Sequence, residues 1–488
     1  MRIRRTLVAA GLLAAATAAA IPSGAGAANL VVVSANTAQG YILPATPLFA
    51  GMGLDYTNID PLAAHNVVSD VPGLFSSGAL ITAGQTRNVA GVEDLEPGTY
   101  GFFCKLHTNM KGSLVVLPVA DPTAGDPPPA PDPNAGAPGT PGGVPTPTAI
   151  TVFDGAMYAA SYGTNSIYKL PILPGGQLGV ATTYATGFNS PLGIVFDENG
   201  TLYVSDSHTS NRSRAADGRV WRIPPGGGDA AAVGTTVIDG LPNGRHNTNN
   251  LAIHEGRLYI TNGNATDDGT AAGGDAEEHF SGTLLSVALD TTGVLIESPA
   301  DRPAELVLEA EGMRNLYDVA FRPGTDEAWI PTNGPDALDP FGEDALHVAD
   351  VTGAAPDFGF PSCVFAPANT PGGTNAGAFS WKQNPAITEG CDAGATHALP
   401  EQLLGLHTSA DGLAFNPTGT ELYVALFGNF FGEEVVGHKV VKMAIDAAGN
   451  AGPVQDVVSL SAAPLDVAWG PAGLYVADFA SGQITLVR

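Results

Sequence analysis

Residues 201–206 read Thr-Leu-Tyr-Val-Ser-Asp: an aromatic residue between two aliphatic ones, closed by small polar residues. The pattern returns at 156–161 (AMYAAS, Tyr158), 257–262 (RLYITN, Tyr259), 327–332 (EAWIPT, Trp329), 421–426 (ELYVAL, Tyr423) and 473–478 (GLYVAD, Tyr475). Short apolar runs bounded by turn residues read as strands. The copies follow an apolar strand and a turn, as in GIVFDENG, LAIHEG, VAFRPGTD, LAFNPTGT and VAWGPAG, and each precedes another strand such as NSIYKL, RVWRI, TLLSVAL, ALHVAD, KVVKMAI or QITLVR. Six antiparallel units, 45, 56, 70, 94 and 52 residues apart, predict a six-bladed β-propeller whose insertions fall in loops. The longest insertion lies between Trp329 and Tyr423. Because the chain ends on a third strand, the last blade either borrows an outer strand or stays three-stranded.

Around this core the 488-residue chain carries 62 Gly and 39 Pro, which favours turns over long helices, and its 44% hydrophobic content excludes a wholly disordered chain. Acidic residues outnumber basic ones 48 to 20, for a formal charge of −28, and no basic patch interrupts them, so nucleic acid is excluded as a partner. Residues 1–28 hold Arg2, Arg4 and Arg5, an Ala-rich apolar run, and Ala25-Gly26-Ala27. This is the form of a cleaved signal peptide, so a secreted or periplasmic protein is expected. Arg4-Arg5-Thr6-Leu7-Val8 hints at the twin-arginine route, although the n-region of an ordinary signal, the reading favoured here, looks the same. No later apolar segment is long enough to span a bilayer, and no membrane insertion is expected. Residues 118–147 hold eleven prolines and read as an extended linker between a small domain at 29–117 and the propeller at 148–488.

The small domain reads as all β, with strands at 30–34, 64–69, 99–103 and 112–117. At the end of the third lies CKLHTNM, placing Cys104, His107 and Met110 close together, with His65 39 residues before the cysteine. Two imidazoles, a thiolate and a weak axial thioether form the ligand set of a blue-copper electron-transfer site, type 1 copper. His65-Asn66-Val67-Val68, Gly98-Thr99-Tyr100, Phe103-Cys104, His107 and Met110-Lys111-Gly112 resemble the plastocyanin, amicyanin and pseudoazurin family of cupredoxins. The resemblance implies a Greek-key β-sandwich, His65, Cys104, His107 and Met110 as copper ligands, and Asn66 as a brace for the ligand loop. In an oxidising compartment Cys363 and Cys391 are expected to pair, leaving Cys104 as the single free thiol.

The propeller text is similar to the soluble glucose dehydrogenase and sorbosone dehydrogenase family, through GLPNGRHNTNNLAI, GMRNLYDVAFRPGT, TNGPDALD, DFGFPSC, LHTSADGLAF and GHKVVKM. This resemblance implies pyrroloquinoline quinone (PQQ) and calcium as cofactors and a sugar or alcohol as substrate. It makes His246 the base that takes the hydroxyl proton, and Arg314, Asn315 and His407 cofactor-facing residues. The carbonyls of Gly334 and Pro335 become calcium ligands. The sequence also departs from that family. Phe427-Gly428-Asn429-Phe430-Phe431-Gly432 and Ala463-Pro464 stand where basic groups pairing the quinone's carboxylates are expected, Phe358 replaces a tyrosine, and Arg245 replaces an acid. The acidic loop 264–279 lacks the alternation of a calcium loop and reads as a solvated insertion.

Two functions follow. In one, a sugar-oxidising propeller hands electrons to its own copper domain, which passes them to a redox partner protein or small acceptor. In the other, a copper electron carrier bears a non-catalytic propeller that binds a ligand or protein. Copper storage is a third reading.

Overall fold

The computed structural model describes residues 31–36, 40–42, 48–49, 53–60, 63–95, 98–107, 110–117, 140–209, 216–270, 277–336, 338, 340–385, 387, 390–391, 397–429, 436–459 and 463–487. The expected signal peptide and most of the proline-rich stretch lie outside them. The described residues are almost entirely β, and no helix among them is long and apolar enough to cross a membrane.

Each recurrent segment is the second strand of a sheet: Ala156–Ser161, Leu202–Thr209, Arg257–Asn262, Glu327–Asn333, Glu421–Leu426 and Gly473–Asp478. All are antiparallel to their neighbours. Neighbouring sheets cover both faces of these strands, which is why they read as apolar runs rather than strict alternations. Their aromatic residues are all buried, from Trp329 and Tyr475 at 0% exposure to Tyr423 at 8%.

The innermost strands touch in a closed ring. Pro147–Phe153 meets Gly193–Phe196, followed in turn by Thr248–His254, Ala320–Phe321, Ala410–Phe415 and Pro464–Gly470, which returns to Pro147–Phe153. A separate apolar core fills each of the six gaps between blades, as where Tyr203 packs with Leu251 or Trp329 with Leu413. The last sheet has three strands. Residues 142–144, inside the stretch read as linker, border its third strand: Val144 N–H donates to Gly482 O (2.9 Å), and Ile484 N–H donates to Gly142 O (2.9 Å). A side chain also helps close the ring, since Asp466 Oδ2 accepts the Ile150 N–H at 2.6 Å.

The insertion in the fourth blade carries its own small sheet, Cys363–Pro367, Thr374–Ala376 and Phe379–Gln383. The disulfide Cys363–Cys391 staples it, with Cα atoms 5.2 Å apart.

The amino-terminal part forms two four-stranded sheets. One holds Gly40–Ile42, Val31–Asn36, Leu54–Asn58 and Thr86–Asn88 in that order; the other holds Leu48–Phe49, Lys111–Leu117, Gly98–Phe103 and Val68–Ser69. Leu54, Tyr56, Phe102, Cys104, Met110 and Leu114 belong to one buried core shared by both sheets.

Candidate functional site

Two places in the chain gather chemistry. In the amino-terminal part, Gly98–Phe103 delivers Cys104 into the core, and a tight turn follows: His107 N–H donates to Cys104 O (3.1 Å) and Met110 N–H to His107 O (2.8 Å). The turn brings His107 back over the cysteine. The bridge between His65 and Ile81 holds His65 on the other side. Cys104 Sγ lies 3.7 Å from His65 Nδ1 and 3.6 Å from His107 Nδ1, and the two Nδ1 atoms are 3.1 Å apart. Among the described residues these three form the only group of His, Cys, Asp or Glu side chains spaced to hold a metal ion. A point equidistant from the corners of that triangle is about 2.0 Å from each, which matches the bond imidazole nitrogen makes to a metal such as zinc and falls about 0.3 Å short of the bond thiolate sulfur makes. Cys104 and His65 are fully buried and Met110 is 9% exposed. Asn66 Oδ1 accepts the Lys105 N–H (3.0 Å), and its Nδ2 donates to Gly78 O (2.7 Å), tying the two ligand-bearing segments together. The structure thus gathers His65, Cys104 and His107 and buries Met110 beside them. It adds Asp60, which the sequence reading missed: its Oδ2 lies 2.9 Å from His65 Nε2.

In the propeller, His246 follows the outer strand Thr235–Asn243 of the second blade and precedes the inner strand of the third. Its Nδ1 lies 2.7 Å from Asn264 Oδ1. The orientation of that amide is fixed, because Asn264 Nδ2 donates to Thr266 O (2.7 Å) and Glu277 Oε1 (2.8 Å). Only the oxygen remains to face the ring, so His246 Nδ1 carries the proton and Nε2 the lone pair. Desolvation, then the positive charge of Arg314 and Arg245, pushes the imidazole well below its usual range against the opposing pull of Asn264. His246 is therefore a neutral base at pH 7. Gly263 permits this packing, since a Cβ there would stand 2.5 Å from His246 Cβ.

Arg314 and Asn315 meet at the same place. Arg314 is 4% exposed; its Nε donates to Asp267 O (2.8 Å), and its Nη2 donates to Asp267 Oδ1. Arg245 Nη2 donates to Asp336 Oδ2, and Arg314 lies 3.5 Å from the same carboxylate. Although desolvation of Asp267 works the other way, Arg314 and Arg245 hold its carboxyl below the usual range. The acidic loop is therefore not merely solvated: Asp267 closes a quartet of two arginines and two aspartates, and Glu277 accepts from Ala265 N–H, Thr266 N–H and the Thr266 hydroxyl. Asn315 bridges Asn249 (2.9 Å) and Asn333 (2.8 Å).

Gly334 and Pro335 begin directly after Asn333. Gly334 N–H donates to Asp344 Oδ1 (2.8 Å), and Thr408 donates to Asp344 Oδ2 (2.8 Å). Burial raises the Asp344 carboxyl to about 6. His407 adjoins Thr408 in a left-handed backbone conformation (φ 57°) and is joined to this group through it. His246, Arg314, Asn315, Gly334 and Pro335 thus share one cluster, with His407 at its edge. Sequence reasoning missed Asn264, Asp267, Asp336 and Asp344. Of these, Asp336 lies inside the motif TNGPDALD and Asp267 inside the acidic loop.

The donor set of His246, Arg314 and the amides of Asn249, Asn315 and Asn333 suits an electron-accepting planar group in its residue types, although Arg314 and Asn315 already bond to protein partners. It departs from that fit in charge, because the quartet of Arg245, Arg314, Asp267 and Asp336 is neutral as folded. Phe427 and Ala463 hold the positions where further cations were expected, and Arg212 and Arg214 lie outside the described residues.

Comparison with solved structures supports the fold. The calcium structure of the Trichoderma reesei Carbohydrate-Active Enzymes Family AA12 protein is similar over 70% of this chain and 92% of that one, at 17% identity and a TM-score of 0.55. Its iodide structure gives 16% identity, the same coverage and a TM-score of 0.58. The holo form of the pyranose dehydrogenase PQQ domain from Coprinopsis cinerea matches at 18% identity over 70% of this chain and 92% of that one, with a TM-score of 0.55. No curated protein matches the chain. The TrAA12-like family model covers residues 213–472, more than half the chain, and the protein belongs to that family.

Proposed function

We propose that the chain is an exported two-part redox protein: the propeller oxidises a sugar hydroxyl, and the amino-terminal part is a cupredoxin-like blue-copper domain that carries the electrons onward. One observation supports the pairing above all. A His-Cys-His triangle sized for one metal ion occurs in the same chain as a propeller whose structural neighbours include a pyranose dehydrogenase PQQ domain. PQQ with calcium, when bound, supplies the two-electron acceptor for hydride from the substrate carbon. His246 supplies the complementary proton acceptor at Nε2, with Asn264 fixing the tautomer. Arg314 and Asn315 orient the bound groups, and the carbonyls of Gly334 and Pro335 offer calcium the hard oxygens it prefers. Cys104, His65 and His107 would hold copper in a buried core with Met110 beside them, and copper held there would supply one-electron transfer. Residues 1–28 serve as the export signal.

The neutral quartet of Arg245, Arg314, Asp267 and Asp336 supports a second reading, a copper carrier with a ligand-binding but non-catalytic propeller. Reconstitution with PQQ and calcium, followed by dye reduction over a panel of aldoses, separates the two. Sugar-dependent turnover that Cys104→Ser leaves intact and His246→Ala lowers by about 10²–10⁴-fold supports oxidation in the propeller; no cofactor binding and no turnover leaves only the carrier. Copper titration of the same chain is expected to give an intense thiolate-to-copper absorption that Cys104→Ser removes.

A further inference from the structure

Asp60 is a buried acid that the two-part reading leaves without a role. It follows the strand Leu54–Asn58, is 3% exposed, and places Oδ2 2.9 Å from Nε2 of His65, which is itself fully buried. In His65, Nδ1 is the ring atom that faces Cys104 and His107. A metal at the triangle needs the Nδ1 lone pair, so the single ring proton sits on Nε2 and is donated to Asp60. The surrounding loop is built to keep the carboxylate there. Asp60 N–H donates to Asn58 Oδ1 (2.9 Å), and Ala63 N–H donates to Asp60 Oδ1 (3.2 Å). Asn58, fully buried, donates through Nδ2 to Ala63 O and Ile81 O, each at 2.8 Å. This chain of bonds runs from the Asp60 turn to the segment that pairs with His65.

We propose that Asp60 is the positioning and tuning residue of the metal centre: it locks His65 in its metal-facing tautomer, and its negative charge favours oxidised copper and lowers the centre's reduction potential. The inference rests on the copper reading above. Cu(II) carries one more positive charge than Cu(I), so an anion bonded to a ligand stabilises the oxidised state more. The absence of bulk water around the pair strengthens the effect. His107, half-buried, lies nearer the surface.

The test is a redox titration of the copper-loaded full chain. Asp60→Asn keeps a side-chain oxygen to accept from Nε2 and removes the charge. It is expected to retain the thiolate-to-copper absorption while shifting the Cu(I)/Cu(II) ratio at fixed potential at least tenfold toward Cu(I), a rise of at least 59 mV for one electron. Asp94→Asn, an exposed acid of the same part, is expected to leave the potential unchanged. An unchanged potential in a coloured Asp60→Asn protein overturns the inference and spares the copper reading; a wild-type chain that never colours overturns the copper reading itself. If Asp60→Asn does not fold, the wild-type Cu(I) protein decides. A strongly downfield, slowly exchanging His65 Nε2 proton in its NMR spectrum supports the bond to Asp60, and a rapidly exchanging one contradicts it.

Discussion

At His246 the chemistry depends on which nitrogen holds the proton, and Asn264 decides that. Glu277 and Thr266 saturate the amide's donors, so Asn264 presents only its oxygen to the ring. If the proposed oxidation holds, His246→Ala lowers kcat/KM by about 10²–10⁴-fold. Asn264→Leu, which frees the tautomer, is expected to cost about 10–100-fold. The pH profile supplies an independent check. Desolvation first, then the charges of Arg314 and Arg245, hold the imidazole's pKa down, so the acid limb of kcat/KM lies below the usual histidine range, and Arg245→Ala moves it upward. A limb that stays put in Arg245→Ala removes this electrostatic account.

Among the elements, the second strand of each blade was the most legible in sequence, because an aromatic between aliphatic residues needs cover on both faces and the propeller provides it. Trp329, fully buried against Phe415 of the next blade, is expected to cost about 3–5 kcal/mol when changed to Ala, measured by denaturant unfolding. The four short strands Gly40–Ile42, Leu48–Phe49, Leu54–Asn58 and Thr86–Asn88 went unread. Two or three residues carry no period, and Leu54–Asn58 alternates buried with half-buried positions that include Asp55 and Thr57. The His65, Cys104 and His107 cluster was legible because Cys104, His107 and Met110 are crowded into seven residues. Asp60 and Asn264 were not, since each acts through another side chain and belongs to no motif. Ring closure was equally hidden: the bond from Ile150 N–H to Asp466 joins residues 316 apart. Asp466→Ala leaves the N–H groups of Ile150 and Val467 without that acceptor and is expected to cost on the order of 1–3 kcal/mol per buried donor. An unchanged unfolding midpoint would show that the ring closes without it.

Across the whole propeller, burial sets acids and a histidine against each other. Burial lifts Asp318 from 3.8 to about 7 and Asp344 to about 6, so these groups keep protons in the folded state that the unfolded chain releases. Their contribution to stability is fully present below 3.8 and is lost as pH rises through 6–7. His347 runs the other way. Burial lowers it from 6.5 to about 3, so its contribution is present above 6.5 and is lost as pH falls toward 3. The melting temperature is therefore expected to be higher at mildly acidic pH than at pH 8, with Asp318→Asn flattening the alkaline decline; a steady rise from acid to pH 8 would contradict these assignments. The formal charge of −28 adds self-repulsion in the same alkaline direction, which high salt suppresses.

Transfer of electrons from a sugar to copper within one chain is what the proposed function requires. Its most direct test is anaerobic stopped-flow absorption of the full-length protein loaded with copper, PQQ and calcium, mixed with an aldose that the dye assay shows to be a substrate. First-order bleaching of the thiolate-to-copper band is expected at a rate independent of protein concentration, slowed about 10²–10⁴-fold in His246→Ala. A band that persists while sugar is being oxidised would contradict that transfer.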